Sequence, residues 1–188
     1  MQLKEVSQKL QKVGIKKGDT IMIHGDAGVA AMLQTSKRNK INMLFDQIKK
    51  FIGKEGTILI PSYSYSACNK KTFDINKSPS DLGLFSESFR KRSDVSRTLH
   101  PIFSFSIYGK KKNFFKNAKI ETCFGKDSIF DFFKKVNGKI ICLGCSFNRV
   151  TFIHHVEETY GVNYRYFKIF RGSIKNKKKN IQLRLIFL

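Results

Sequence analysis

The period of the apolar positions changes several times along the chain. Leu3, Val6, Leu10 and Val13 recur three and four residues apart, which predicts an amphipathic helix ending at Gly14. The stretch KKGDTIMIHGDAGVA follows, with a Gly-Asp turn, an apolar run from Ile21 to Ile23, and then His24, Gly25 and Gly28. It predicts a buried strand running into a glycine-containing loop. Ile41, Leu44, Phe45, Ile48, Phe51 and Ile52 return to helical spacing. TILIPSYSYS predicts a second buried strand, stopped by Pro61 and leading into a loop of aromatic and hydroxyl residues. Residues 68–95 are polar and irregular, with SPSDLG as turn material and GLFSESFRKR as a short helix. RTLHPIFSFSIYG alternates in its second half, as a strand does, and the lysine-rich KKKNFFKN is expected to be exposed around its phenylalanines. SIFDFFKKV predicts a helix packing Ile129, Phe132, Phe133 and Val136, GKIICLGCS a third buried strand, and YRYFKIFRG a further strand before the tail SIKNKKKNIQLRLIFL.

Helices therefore alternate with short apolar strands and no internal repeat intervenes. That order predicts a layered α/β domain with helices covering a sheet. A chain of 188 residues suits one domain with a sizeable core. No window approaches the ~18 consecutive apolar residues of a membrane span. The N-terminal MQLKEVSQKLQKVG lacks the apolar segment of a secretory signal, so a cytoplasmic location is expected. The formal net charge of +22 favours anionic partners over polycationic ones, although a lysine-rich composition also accounts for many of these charges as solvated surface. Lys175 and Lys177 to Lys179 read as such a solvated run. The four cysteines come without a secretion signal, so no disulfide framework is expected.

Candidate chemistry concentrates in TFIHHVEETYG, residues 151–161, which holds two of the four histidines just ahead of two glutamates. Thr151 suits an N-cap. On a helix, Thr151, His154 and Glu157 or Glu158 share one face, and His155 points elsewhere. A strand-to-helix junction offers free N–H groups and a partial positive charge to a ligand. There His154 can accept a proton near neutral pH, a glutamate one turn later can fix its tautomer, and the Thr151 hydroxyl can stabilise an oxyanion. The plainer reading is a surface helix with a polar face. Cys142-x-x-Cys145 with His154 and His155 offers metal-ligand types, but no second CxxC accompanies them and adjacent histidines on a helix diverge. No metal site is expected, and both cysteines read as small buried residues.

The stretches GDTIMIHGDAG, EGTILIPSYSYS, SPSDLGLFSESFRKR, RTLHPIFSFSIYG, FGKDSIFDFF, GKIICLGCSFNRVTFIHHVEE and GVNYRYFK together resemble the aminoglycoside 3-N-acetyltransferase family, in its order and spacing. The resemblance covers residues 1–172 as one acetyltransferase-like domain and leaves residues 173–188 as a divergent basic and apolar tail. It implies a three-layer α/β/α sandwich with a mixed central sheet, acetyl-CoA as donor and an amino sugar as acceptor. It maps the family's catalytic histidine onto His154 and its acidic partner onto Glu157. The family's His-Ser-Ser-Leu segment, beside the pantetheine arm, maps onto His24, Gly25, Asp26 and Ala27, with both serines replaced. The His-Pro motif maps onto His100 and Pro101, near the cleft. Family members usually continue for several tens of residues beyond YRYFK, so the chain is expected to be C-terminally shortened.

The chemistry so implied is direct attack of an amine on a thioester, with His154 as base, Thr151 at the oxyanion and no covalent enzyme intermediate. The remaining candidates carry two readings each. His24, Gly25 and Asp26 contact the donor, or His24 only satisfies its loop. Arg97 and Ser104 contact the coenzyme, or Arg97 forms a structural ion pair. His100 orients substrate or only precedes proline, and Tyr65, like Tyr63, stacks on a sugar or packs. Aminoglycosides are polycations, so the basic balance favours an amino sugar carried on a nucleotide or polyprenyl phosphate, as in surface-polysaccharide assembly. The competing classes are an impaired, truncated family member and a basic nucleic-acid-binding module. No recognised nucleic-acid motif is present.

Overall fold

The computed structural model describes residues 1–175 and the backbone course of residues 179–187. In chain order the elements are α1 (Leu3–Lys12), β1 (Thr20–Gly25), α2 (Gly28–Ala31), α3 (Lys40–Ile52), β2 (Thr57–Pro61), β3 (Thr72–Phe73), α4 (Leu84–Arg90), β4 (Ser96–Arg97), β5 (Phe105–Gly109), α5 (Lys112–Lys116), α6 (Ile129–Lys135), β6 (Lys139–Leu143), α7 (Ile153–Tyr160), β7 (Tyr166–Ile174) and β8 (Lys179–Phe187). The central sheet has the order β4-β5-β2-β1-β6. β2, β1 and β6 run parallel, and β5 joins β2 antiparallel, which makes the sheet mixed. A second sheet, β3-β7-β8, carries the C-terminal hairpin. No helix among the described residues is long and apolar enough to cross a membrane.

Strand alternation sorts the side chains into two cores. Ile21, Ile23, Ile58 and Ile60 face one way, against Val6 and Leu10 of α1, Leu44, Phe45, Ile48 and Ile52 of α3, and Phe85 and Phe89 of α4. Met22, Leu59, Phe105 and Ile107 face the other way, against Phe115 of α5 and Ile129, Phe130 and Phe133 of α6. Helices thus cover both faces of a mixed sheet, as expected. Side chains of this size each gain roughly 1.5–3 kcal/mol on full burial. The two clusters fix the sheet between them, and with it the strand ends that carry the site.

Several local expectations change. KKKNFFKN is not exposed around both phenylalanines: it forms α5, with Phe115 fully buried and Phe114 at the surface. β6 is only half-buried, because it is the sheet's edge, with Ile140 facing one core and Ile141 and Leu143 the other. Thr151 does not cap α7. The N-cap position falls to Phe152 and makes no side-chain cap bond. Val13 lies beyond α1 and is exposed. In the tail, Ser173 and Ile174 belong to β7, with Ile174 buried against Phe73 of β3. Lys175 pairs with Asp74 at 3.7 Å, while Lys177 and Lys178 lie outside the described residues.

Candidate active site

β1, β2 and β6 end side by side, and their carboxyl ends open into a cleft of about 530 Å³. This is where open parallel sheets bind ligands, because the loops diverge there and leave a crevice. His24, Gly25 and Asp26 line it from β1, Tyr63 and Tyr65 from the loop after β2, and Gly144 to Ser146 from the turn after β6. Asn148, Arg149 and Thr151 follow from the run into α7, and Leu82 and Ser86 close the far side. The turn after β6 depends on Gly144, whose φ of 72° is a left-handed conformation that other residues adopt only with strain. Asp26 ties two of these walls: its N–H donates to Leu143 O at 2.9 Å, and its carboxylate accepts the Gly28 N–H at 2.7 Å.

His24 is buried, and its Nε2 has no hydrogen-bond partner among the described residues. Burial penalises the charged ring and lowers its pKa to about 4, so His24 is neutral at physiological pH. The Tyr63 hydroxyl, close to the Thr151 side chain, is buried without a hydrogen bond of normal geometry, and desolvation raises its pKa. These two buried polar atoms leave hydrogen-bonding capacity unused in one wall of the cleft. The Cys145 thiol donates to His24 O at 3.2 Å, and burial raises its pKa, which suits a wall group better than a nucleophile.

His154 stands one helical step beyond Thr151. Its Nδ1 lies 3.0 Å from Glu157 Oε2 on the same face of α7, and its side chain is 29% exposed. Its ring packs edge-on against Phe124 at 5.1 Å, and Phe124 packs on Phe103 at 4.8 Å. Phe103 in turn meets Tyr63, at 4.9 Å, and His100, at 6.0 Å. An aromatic layer thus joins the imidazole to the tyrosine wall of the cleft and to the His-Pro segment. Glu157 also accepts from Tyr164 at 3.1 Å and pairs with Arg165 at 2.8 Å. Burial works against the Glu157 charge, but the hydrogen bonds from His154 and Tyr164 and the Arg165 charge outweigh it and hold the pKa below the usual carboxylate value.

Neither His154 nor Glu157 is part of the cleft lining, and Arg97, Ser104 and His100 lie away from it as well. Arg97 is buried and bonds Ser104 Oγ at 2.9 Å, Ser62 O at 2.5 Å and Ser78 O, with its guanidinium over the Phe73 ring. Burial lowers its pKa only to about 10, so it stays charged. Ser104, fully buried, donates to Ser62 O at 2.7 Å. His100 Nδ1 accepts the N–H groups of Ile102 and Phe103 at 3.2 and 2.9 Å, which leaves the proton on Nε2, 3.5 Å from Cys123 Sγ. It braces its own turn. His155 is buried with Nδ1 2.5 Å from Phe124 O, pointing away from the His154 face. Sequence reasoning passed over Tyr164 and Arg165, which close on Glu157, and Arg149 on the cleft wall. The only signal for the first two was their place in GVNYRYFK.

Residues 22–184 match the model of a family described as aminoglycoside 3-N-acetyltransferase. The chain belongs to this family. A curated relative, the SPbeta prophage-derived aminoglycoside N(3')-acetyltransferase-like protein YokD of Bacillus subtilis (strain 168), is 25% identical over 85% of this chain. The chain spans 65% of the length of that relative. Among solved structures, that of YokD superposes with a TM-score of 0.82 at 21% identity, covering 99% of this chain and 82% of that one. The aminoglycoside acetyltransferase AAC(3)-Xa superposes with a TM-score of 0.83 at 17% identity, covering 99% of this chain and 71% of that one. AAC-IIIb, solved as a binary complex with CoASH, gives 0.83 at 18% identity, covering 99% and 75%. These superpositions establish that the aminoglycoside 3-N-acetyltransferase fold is present across the described chain.

Proposed function

We propose that this chain is an acetyl-CoA-dependent N-acetyltransferase that acylates an amine of an amino sugar, with His154 as general base. The observation that carries the reading is the His154–Glu157 pair, joined through Phe124 and Phe103 to the Tyr63 wall of the cleft at the ends of β1, β2 and β6, in a chain of this family. A sugar ammonium must lose a proton before it can attack. With Nδ1 against the Glu157 carboxylate, the Nε2 lone pair is left to take that proton. The amine nitrogen bonds to the thioester carbonyl, and the charge gathers on its oxygen, near Thr151. The carbon–sulfur bond then breaks, the coenzyme thiolate takes the proton from the imidazolium, and the acylated nitrogen gives its second proton to the freed imidazole and on to solvent, which leaves amide, thiol and one released proton. His24, with its unpartnered Nε2, and the Tyr63 hydroxyl are the buried groups free to bind the acyl donor.

The acceptor we favour is an amino sugar on a nucleotide or polyprenyl phosphate. The net charge of +22 supports it, as does Arg149, which is exposed on the cleft wall while the Asp26 carboxylate is engaged by the Gly28 N–H. Thiol release from acetyl-CoA, measured with amino sugars of both classes, tests the reading. Turnover is expected with phosphate-linked amino sugars, and H154A should lose about 100-fold or more while still binding acetyl-CoA. Full activity in H154A overturns the base assignment. A clear preference for polycationic aminoglycosides overturns the acceptor assignment.

A further inference from the structure

We propose that Arg165 is a positioning residue for His154, acting through the Glu157 oxygen that both of them contact; this rests on the reading of His154 as the base. Arg165 Nη2 lies 2.8 Å from Glu157 Oε2, and His154 Nδ1 lies 3.0 Å from the same atom. Tyr164 donates to the other oxygen, Oε1, at 3.1 Å. The carboxylate is therefore held from three directions and cannot rotate about its last bond without breaking one of these contacts. The Arg165 side chain is 6% exposed and that of Glu157 12%, so solvent screens the pair weakly.

The arrangement fixes the plane of the carboxylate, and hence the Nδ1–H tautomer of His154 with the Nε2 lone pair outward. Glu157, on the same helix, contacts His154 directly, while Tyr164 and Arg165, on the segment after it, act on the ring through Glu157. Phe124, from the loop before α6, packs its ring against the imidazole.

Nitrogen-detected NMR of the His154 ring in the free protein tests this without any substrate. R165Q and R165M should both move the neutral ring from the Nδ1–H form toward a mixture of tautomers, read from its two nitrogen resonances. R165K, which keeps the charge, should retain the Nδ1–H form. In turnover, R165Q should lower kcat more than it changes KM. An unchanged tautomer in R165Q and R165M overturns the proposal. So does loss of folding in both neutral variants, which would make Arg165 a structural cation only. A tautomer change in a protein that acetylates nothing keeps the brace and sinks the functional reading. Acetyl transfer that needs His154 but ignores Arg165 does the reverse.

Discussion

Gly25 ends β1 with its α-carbon against the ring of Phe85. A β-carbon there would lie 2.5 Å from two atoms of that ring, and Phe85 is 1% exposed, with Phe45 packed edge-on against it at 5.0 Å. G25A should therefore destabilise the fold by about 1–3 kcal/mol through overpacking. Denaturant unfolding reads this directly, and an unchanged midpoint would mean that the ring swings aside at little cost. The same contact gives a physical reason for one departure from the family pattern, because a serine at position 25 would need the space that Phe85 fills. At this scale the His154–Glu157 pair was legible in the sequence, since a three-residue spacing on a helix brings two side chains together. Arg165 was not, because it returns to Glu157 only after the chain reverses at Gly161, whose φ is 65°. Arg97 and Ser104 read in the sequence as coenzyme contacts, and their bond to each other and their burial were not legible, because both depend on Ser62 and Ser78, contributed by distant loops.

At the scale of elements, apolar periodicity located most helices and strands to within one or two residues, because most pack on a core through one face or both. α1 and α3 show this, with Val6, Leu10, Leu44, Phe45, Ile48 and Ile52 all buried. Periodicity failed where a segment's surroundings decide its state. GKIICLGCS has the continuous apolar run of a central strand, yet β6 is an edge strand, since nothing local to a sequence reports strand order. KKKNFFKN has too few residues to declare a period, and α5 is ordered by Phe115 entering the core beside α6. Thr151 has the chemistry of an N-cap, but the backbone turns helical two residues later. Its hydroxyl is left beside the buried Tyr63 hydroxyl in the cleft wall.

Across the whole molecule, the buried histidines make stability depend on pH. His24 and His100 both have folded pKa values of about 4, lowered by burial from an ordinary value of 6.5. Between those values the unfolded chain binds protons that the folded chain refuses. Stability therefore rises with pH across this window and is lost as pH falls from 6.5 toward 4. Thermal melts should show Tm falling by on the order of 5–10 °C between pH 7 and pH 5. A flat Tm over that range would mean that these rings reach solvent. The layered α/β class was legible at this scale from the alternation of periods, whereas the strand order was not, because β1 is an interior strand only through partners 37 and 118 positions along the chain, Thr20 with Thr57 and His24 with Cys142. That order leaves β6 outermost, so the crevice is walled by the sheet along one flank and borders its margin along the other. A guest molecule then has no need to be small: its reactive ring can reach the strand ends while a long anchor trails past the rim into solvent. If so, one amino sugar offered free and on a long phosphate tether should give kcat values within about threefold of each other, and a collapse of turnover with the tethered form would show that the rim is closed.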